Sequence, residues 1–283
     1  MSSVDTGALG TVLAASAGTA LTVMLITFAV GTVKGLHRIV DSAWGLAFAS
    51  VAAVAWILSA GHGDPARRTV VALATIVWGL RLAVHIARRG RGQGEDPRYA
   101  RMLARARGNQ HVYALRSIYL LQGSLVWLVS LPVQFAVLLP QPLDTAAALG
   151  LALWAAGLFF EALGDHQLAR FKADPANKGR IMDRGLWAWT RHPNYFGDFL
   201  VWWGLYLTAC ATWQTAAATV ISPLLMSALL IKGSGKRLLE AHMADRPGYA
   251  DYQARTSGFL PRPPRPSSPA DRSKIEDQKH RQG

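Results

Sequence analysis

Long apolar runs alternate with polar, strongly basic segments along this 283-residue chain. Seven runs approach the roughly 20 residues that an α-helix needs to cross the ~30 Å hydrocarbon core of a bilayer. They cover residues 8–31, 42–60, 69–87, 118–139, 145–163, 197–212 and 215–232. The pattern predicts an all-α, polytopic membrane protein in which seven transmembrane helices form a bundle.

Basic side chains fall almost entirely on one side of this predicted arrangement. Of the 30 Lys and Arg residues, 27 lie in the loops after the first, third and fifth runs and in the C-terminal segment. Arg67 and Arg68 lie on the other side, and Arg81 lies within a run. The positive-inside rule therefore predicts an N-terminus outside the cell and a C-terminus in the cytoplasm. The same split supports seven spans, because a missed span would scatter the cations.

Composition narrows the class further. The net charge of +13 lies in loops beside membrane-length runs, which argues against nucleic acid as a partner. The only cysteine, Cys210, excludes an intramolecular disulfide and cannot build a zinc site, so we predict no metal. Residues 261–283 are polar and proline-rich and bury too little apolar surface to fold, so we predict a disordered tail after a single domain of residues 1–260.

The most informative polar segment is Arg191–Asp198, which sets a cation, an imidazole, an amide, a phenol and a carboxylate at the edge of an apolar run. Polar groups at such a depth are costly and indicate a functional site. Pro193 suits the first turn of a helix, whose free N–H groups favour an anion such as phosphate. Asn194 and Asp198 are one helical turn apart and share a face, where they can bind a ring carboxamide or a ribose.

Other segments suggest phosphate or base contacts, each with a plainer alternative. The basic stretch 177–189, which includes Arg184, can hold the phosphates of a large cofactor, whereas its tryptophans are also typical of an interfacial aromatic belt. Asp165 and Lys172 share a helix face, where they can contact a cofactor. The plainer alternative is an interfacial helix end whose long side chains snorkel to the membrane surface. The Gly/Arg loop 88–99 can wrap a polyphosphate or can simply be a solvated basic loop. Tyr249 can stack on an adenine or can belong to a helix that lies along the membrane surface.

Two charged residues lie at or within the early runs. Asp41 begins the second run, and Arg81 lies in the third, where an unpaired cation costs several kcal/mol. Arg81 therefore needs a partner or a wet cavity, and Asp41 is a plausible partner.

Taken together, these motifs resemble the steroid 5-alpha-reductase superfamily, and within it the bacterial membrane proteins of the DUF1295 group. The resemblance covers about residues 35–262. The matching segments are Asp165-His-Gln-Leu, Asn177-Lys-Gly, Gly185-Leu-Trp, Arg191-His-Pro-Asn-Tyr-Phe-Gly-Asp, Asp41-Ser-Ala-Trp-Gly, Gly94-Glu-Asp-Pro-Arg-Tyr and Arg246-Pro-Gly-Tyr through Pro261.

The resemblance implies a bacterial inner-membrane reductase that takes NADPH from the cytoplasm, in a C-terminal cofactor-binding half of about residues 145–260. Its substrate is a lipid or sterol-like molecule with an activated C=C bond. The implied catalytic residues are Asp41, Tyr195 and Asp198. The expected cofactor contacts, from the resemblance and from the basic and aromatic segments together, are Arg81, Arg91, Asp165, Lys172, Arg184, Arg191, His192, Asn194, Tyr195 and Tyr249.

The chain departs from the steroid reductases at one point. Those enzymes polarise an enone with a Gln-Glu pair in the second helix and a tyrosine in the next, where this chain offers Asp41 and Trp78. A steroid enone is therefore a poor match. Membrane methyltransferases that use S-adenosylmethionine also carry an Arg-His-Pro-x-Tyr-x-Gly run, and they remain the alternative, together with a non-catalytic lipid-binding membrane protein.

Overall fold

A computed structural model describes residues 4–233 and 235–265, without the side chain of Leu238. Within these residues the chain forms fourteen α-helices, one π-helical segment (Leu115–Leu120) and one 3-10 turn (Pro175–Asn177), which confirms the all-α class. In chain order the helices are α1 (Thr6–Lys34), α2 (Ile39–Leu58), α3 (Pro65–Gly90), α4 (Pro97–Ala104), α5 (Gln110–Ala114), α6 (Leu121–Val129), α7 (Leu131–Ala136), α8 (Thr145–Ala173), α9 (Leu186–Trp189), α10 (Pro193–Thr208), α11 (Trp213–Thr219), α12 (Ile221–Ile231), α13 (Lys236–Met243) and α14 (Tyr249–Arg255).

Six helical stretches among the described residues are long and apolar enough to cross a membrane, which indicates an integral membrane protein. They are α1, α2, α3, the stretch Gln110–Val129, α8 and the stretch Trp213–Ile231. Helix α10 covers most of the predicted run 197–212 but has 16 residues, a length of about 24 Å at 1.5 Å per residue. The seventh span and the orientation of the termini therefore stay predictions.

Side-chain caps fix where several helices begin. Asp64 accepts a hydrogen bond from the Arg67 N–H at 2.8 Å, and Pro65 supplies the first helical position of α3. Helix α3 therefore begins four residues before the predicted run. This start places Arg67 inside the helix, where its buried guanidinium donates to the carbonyls of Gln141, Pro142 and Thr208.

The chain divides into two compact units. The first contains Met1–Leu151 and Gly204–Pro223, and the second contains Ala152–Trp203 and Leu224–Gly283. Of the predicted tail, residues 261–265 are described, and the backbone N–H groups of Arg262 and Arg265 donate to Trp189 and Arg255. The remainder of that predicted tail, residues 266–283, lies outside the described residues.

In the first unit, α2 and α3 pack through a pair of glycines. A Cβ on Gly45 would lie 2.3 Å from the Gly79 carbonyl oxygen, and one on Gly79 would lie 2.5 Å from the Gly45 oxygen. The two backbones are therefore too close for any side chain at either position. Phe48 and Trp78 fill the space beside this contact, with ring centroids 5.4 Å apart and a T-shaped geometry.

In the second unit, α8 and α10 meet in the same way. A Cβ on Gly157 would lie 2.6 Å from the Gly197 carbonyl oxygen, and one on Gly197 would lie 2.5 Å from the Gly157 oxygen. Further along α8, a Cβ on Gly164 would lie 3.1 Å from Pro193 Cγ. As residue numbers rise along α8 the partners on α10 fall, so the two helices run antiparallel. The end of α8 therefore lies beside the start of α10.

We expect Gly197→Ala to destabilise the protein by about 1–3 kcal/mol, because the new methyl group meets backbone atoms that cannot rotate away. The matched control is Gly18→Ala, at a helical glycine where an added Cβ would have no neighbouring atom within 4 Å. That change should be neutral or stabilise by up to about 1 kcal/mol, since alanine has the higher helix propensity. Thermal unfolding in detergent, followed by tryptophan fluorescence, measures both. Equal melting temperatures for the two variants would contradict the proposed close contact.

Candidate functional site

The antiparallel contact of α8 and α10 brings two predicted site residues together. Asp165 lies near the end of α8 with 7% of its surface exposed, and Asn194 lies in the first turn of α10. The Asn194 side-chain amide donates to Asp165 Oδ1 at 3.2 Å, and the Asn194 Oδ1 atom accepts the Tyr195 N–H at 3.1 Å. The positive end of the α10 dipole favours the buried carboxylate at this position. The two residues are 29 positions apart, so this pairing is a product of the fold.

His192, which directly precedes α10, is the most enclosed of the predicted residues. Only 1% of its surface is exposed, and its ring stacks on Tyr195 with centroids 5.4 Å apart and planes within 1°. His192 Nε2 lies 3.1 Å from Glu240 Oε1 on α13. Burial lowers the pKa of His192 to about 4, against the opposing effect of the Glu240 carboxylate. The imidazole is therefore neutral near pH 7.

The neutral ring of His192 has one defined open position. A carboxylate accepts hydrogen bonds, so contact with Glu240 places the ring proton on Nε2 and leaves Nδ1 as an acceptor. His192 Nδ1 is buried and has no hydrogen-bond donor among the described residues. Buried acceptors are rarely left unsatisfied, so a donor from a ligand or a water fits this position. An amide or hydroxyl group, such as those of a nucleotide cofactor, has the required N–H or O–H.

Arg191 ties this region to the C-terminal segment. Its Nε and Nη2 atoms each lie 2.9 Å from Glu240 Oε1, and its Nη1 donates to the carbonyls of Gln253 and Thr256 at 3.1 and 2.7 Å. Its backbone N–H donates to Ser257. The guanidinium thus contacts Glu240 and the carbonyl groups of Gln253 and Thr256 at the same time. The predicted contact between Arg191 and a cofactor stays a prediction.

The two tyrosines of α14 are buried. Tyr249 and Tyr252 each have 3% of their surface exposed, and their ring centroids are 6.1 Å apart. The Tyr252 hydroxyl donates to the Trp187 carbonyl at 2.6 Å. Burial raises the pKa of both phenols. Tyr252 therefore ties α14 to α9, and the predicted stacking of Tyr249 on adenine stays a prediction.

The remaining predicted residues of the second unit lie at its surface or in its helices. Lys172 is exposed in the last turn of α8, and Arg184 is exposed just before α9. Asp198 lies in the second turn of α10, half-buried, one turn beyond Asn194. The assigned roles of these three residues stay predictions.

A second polar cluster lies in the first unit around Asp41, in the first turn of α2. The Tyr99 hydroxyl donates to Asp41 Oδ1 at 2.5 Å, and Arg98 Nη2 lies 2.7 Å from Asp41 Oδ2. The Gln122 amide reaches the same hydroxyl at 3.5 Å. The structure therefore pairs Asp41 with Arg98 and Tyr99, whereas the sequence suggested Arg81. Burial, together with the Asp41 charge, raises the pKa of Tyr99, so the phenol keeps its proton at neutral pH.

The Gly/Arg loop between α3 and α4 is held by the start of α2. Glu95 accepts hydrogen bonds from the backbone N–H groups of His37 and Arg38 at 2.5 and 2.8 Å. The Arg38 guanidinium donates to the Gly94 carbonyl at 2.7 Å. Arg91, at the end of α3, is exposed, and Arg81 is half-buried within α3. The loop is thus ordered by capping, and its predicted contact with polyphosphate is not tested.

Sequence reasoning missed Glu240 and Tyr99 as members of these clusters. Glu240 lies 48 residues from His192 and Tyr99 lies 58 residues from Asp41, so neither pair shares a helix face that periodicity could reveal. One local signal existed for Tyr99. The Asp96-Pro97 pair predicts a helix start, and a tyrosine two residues later lies in its first turn, near the capped end.

Comparison with known proteins gave one match. A sequence model of the family described as "protein of unknown function (DUF1295)" matches residues 27–256. Neither the curated proteins nor the solved structures contain a significant match to the chain. The family match spans both polar clusters and most of the chain, and it confirms the predicted membership. This chain belongs to the DUF1295 family.

Proposed function

We propose that this protein is an NADPH-dependent reductase of the bacterial inner membrane that transfers hydride to an activated C=C bond of a lipid or sterol-like substrate. Its cofactor site faces the cytoplasm in this proposal. The family match is compatible with the resemblance to steroid 5-alpha-reductases, from which the proposed activity comes. The observation that carries the proposal is the Asp165–Asn194 pair beside the stacked rings of His192 and Tyr195.

The chemistry of this cluster fits a nucleotide cofactor. Asp165 and His192 Nδ1 offer acceptors for hydroxyl or amide groups, and the Asn194 amide offers both a donor and an acceptor. Lys172 and Arg184 are exposed cations in the same unit and can neutralise phosphates. When bound, NADPH supplies the hydride. The residues of the chain then bind and orient the cofactor and the substrate, and they exclude water from the site.

Reduction of a C=C bond also needs a proton. The Tyr99 hydroxyl of the first unit donates its single proton to Asp41, so it has none to offer to a substrate. Asp41 keeps the catalytic role that the resemblance implies. Asp198 and Tyr195 keep their proposed place near the hydride transfer.

A thermal-shift experiment on the protein in detergent tests the cofactor. NADPH at one hundred times its Kd should stabilise the folded state by about 2.7 kcal/mol, since it binds the folded protein alone. NADH should give a smaller shift, because it lacks the 2′-phosphate that exposed cations would bind. A shift with S-adenosylmethionine and none with NADPH would replace the reductase by the methyltransferase.

Two substitutions test the cluster itself. Asn194→Ala and Asp165→Ala should each weaken NADPH binding by roughly 1.5–3 kcal/mol, as expected for loss of a hydrogen bond that involves a charged group. Asp245→Ala removes an exposed carboxylate from the same unit and is the control, with unchanged affinity expected. Titration of the three folded variants gives the affinities. NADPH affinity equal to wild type in both cluster variants would leave Asp165 and Asn194 as packing residues only.

A further inference from the structure

A cationic cleft lies in the second unit, where the chain leaves α14 and turns back along it. The cleft has a volume of about 250 Å³. Its wall contains four arginines, Arg191, Arg255, Arg262 and Arg265, together with Ser257. No carboxylate lines it in the described part of the chain. Four guanidinium groups around one small space repel one another, so the arrangement favours an anion between them.

Two of these arginines are already paired behind the wall. Arg191 contacts Glu240, and Arg255 Nη2 lies 2.5 Å from Asp183 Oδ2. Arg262 and Arg265 are exposed, and neither forms an ion pair or a side-chain hydrogen bond with the described residues. The cleft therefore carries an excess of about two positive charges, which matches the charge of a phosphate group.

The sequence explains why these two exposed arginines face the same way. They stand in the run Pro261-Arg262-Pro263-Pro264-Arg265, and proline favours an extended polyproline II conformation. That helix has three residues per turn, so residues 262 and 265 share a side about 9 Å apart. Backbone hydrogen bonds of 2.9 Å from Arg262 to Trp189 and from Arg265 to Arg255 hold the run against the unit. The backbone of both arginines is thus held in place before any ligand arrives.

We infer that this cleft is a phosphate-binding site, with Arg262 and Arg265 as its principal ligands. Guanidinium groups bind phosphate oxygens in pairs of parallel hydrogen bonds, and the hydroxyl of Ser257 adds a further donor. The volume is below the roughly 300–1,000 Å³ of sites that enclose a drug-sized molecule. It therefore suits a single phosphate group, with the rest of its carrier outside.

The phosphate can belong to a soluble molecule or to an anionic lipid. Trp189 and Leu260 are each about half exposed. The Trp189 carbonyl accepts a hydrogen bond from the Arg262 backbone N–H, and Leu260 lies two residues before Arg262 in the chain. An aromatic and an aliphatic side chain beside arginine suit a membrane surface. The shared chemistry is the phosphate, and the inference does not depend on the proposed reductase activity.

The test compares two double variants of the full chain in detergent. Arg262→Ala/Arg265→Ala removes the proposed ligands, and Arg237→Ala/Arg246→Ala removes two exposed arginines of the same unit that do not line the cleft. The probes are inorganic phosphate, 2′,5′-ADP and short-chain phosphatidylglycerol, with phosphatidylcholine as the neutral lipid. Binding is measured at constant ionic strength.

We expect the cleft variant to lose about tenfold or more in affinity, equal to about 1.4 kcal/mol, and the control variant to match wild type. Saturable binding of phosphate or 2′,5′-ADP that depends on Arg262 and Arg265 identifies a soluble ligand. Dependence seen with phosphatidylglycerol alone identifies a lipid headgroup. Equal losses in both double variants would show a general charge effect, and no binding of any probe to wild type would equally overturn the inference. Melting temperatures near wild type confirm that the variants are folded.

Discussion

The arrangement of the second unit depends on the direct backbone contact between α8 and α10 at Gly157 and Gly197. In a bilayer the hydrophobic effect does not drive helices together, so close packing of small residues and buried polar contacts must do so. A side chain at either glycine would separate the helices, because its Cβ would lie within 2.6 Å of the opposite backbone. This contact, with the antiparallel course of the helices, places Asp165 at the start of α10. The polar site is thus a consequence of two missing side chains.

The buried groups beside this contact form a network that is nearly complete. Glu240 Oε1 accepts from both Arg191 and His192, so the charge of the carboxylate is compensated by one partner and directed by the other. Removing either partner would leave a carboxylate with too few donors, which is more costly than never burying it. Within the group formed by Arg191, His192 and Glu240, the exception is His192 Nδ1, which has no donor among the described residues. An open acceptor in this group indicates where a ligand or water contributes.

The sequence predicted those features that depend on local chemistry. The apolar runs predicted the all-α class and seven spans, and six of these correspond to helical stretches long enough to cross a membrane, because bilayer thickness sets their length. Pro193 correctly predicted the start of α10. Contacts between distant segments were not predicted, because no local pattern pairs Glu240 with His192 or Tyr99 with Asp41. The glycine contacts were not predicted either. Gly157 and Gly164 recur at a seven-residue spacing, but they contribute little to hydropathy.

Arg191 contacts both the enclosed network around Glu240 and the cationic cleft. Its hydrogen bonds determine whether it can bind an anion in the cleft. Its guanidinium contacts Glu240 and two carbonyl groups, so turning it toward an anion in the cleft would break three contacts. That movement would also remove the charge partner of the carboxylate that directs His192. The side chains of Arg262 and Arg265 have no such bonds to lose within the described chain. An incoming anion is therefore bound by Arg262 and Arg265, and the position of His192 is preserved.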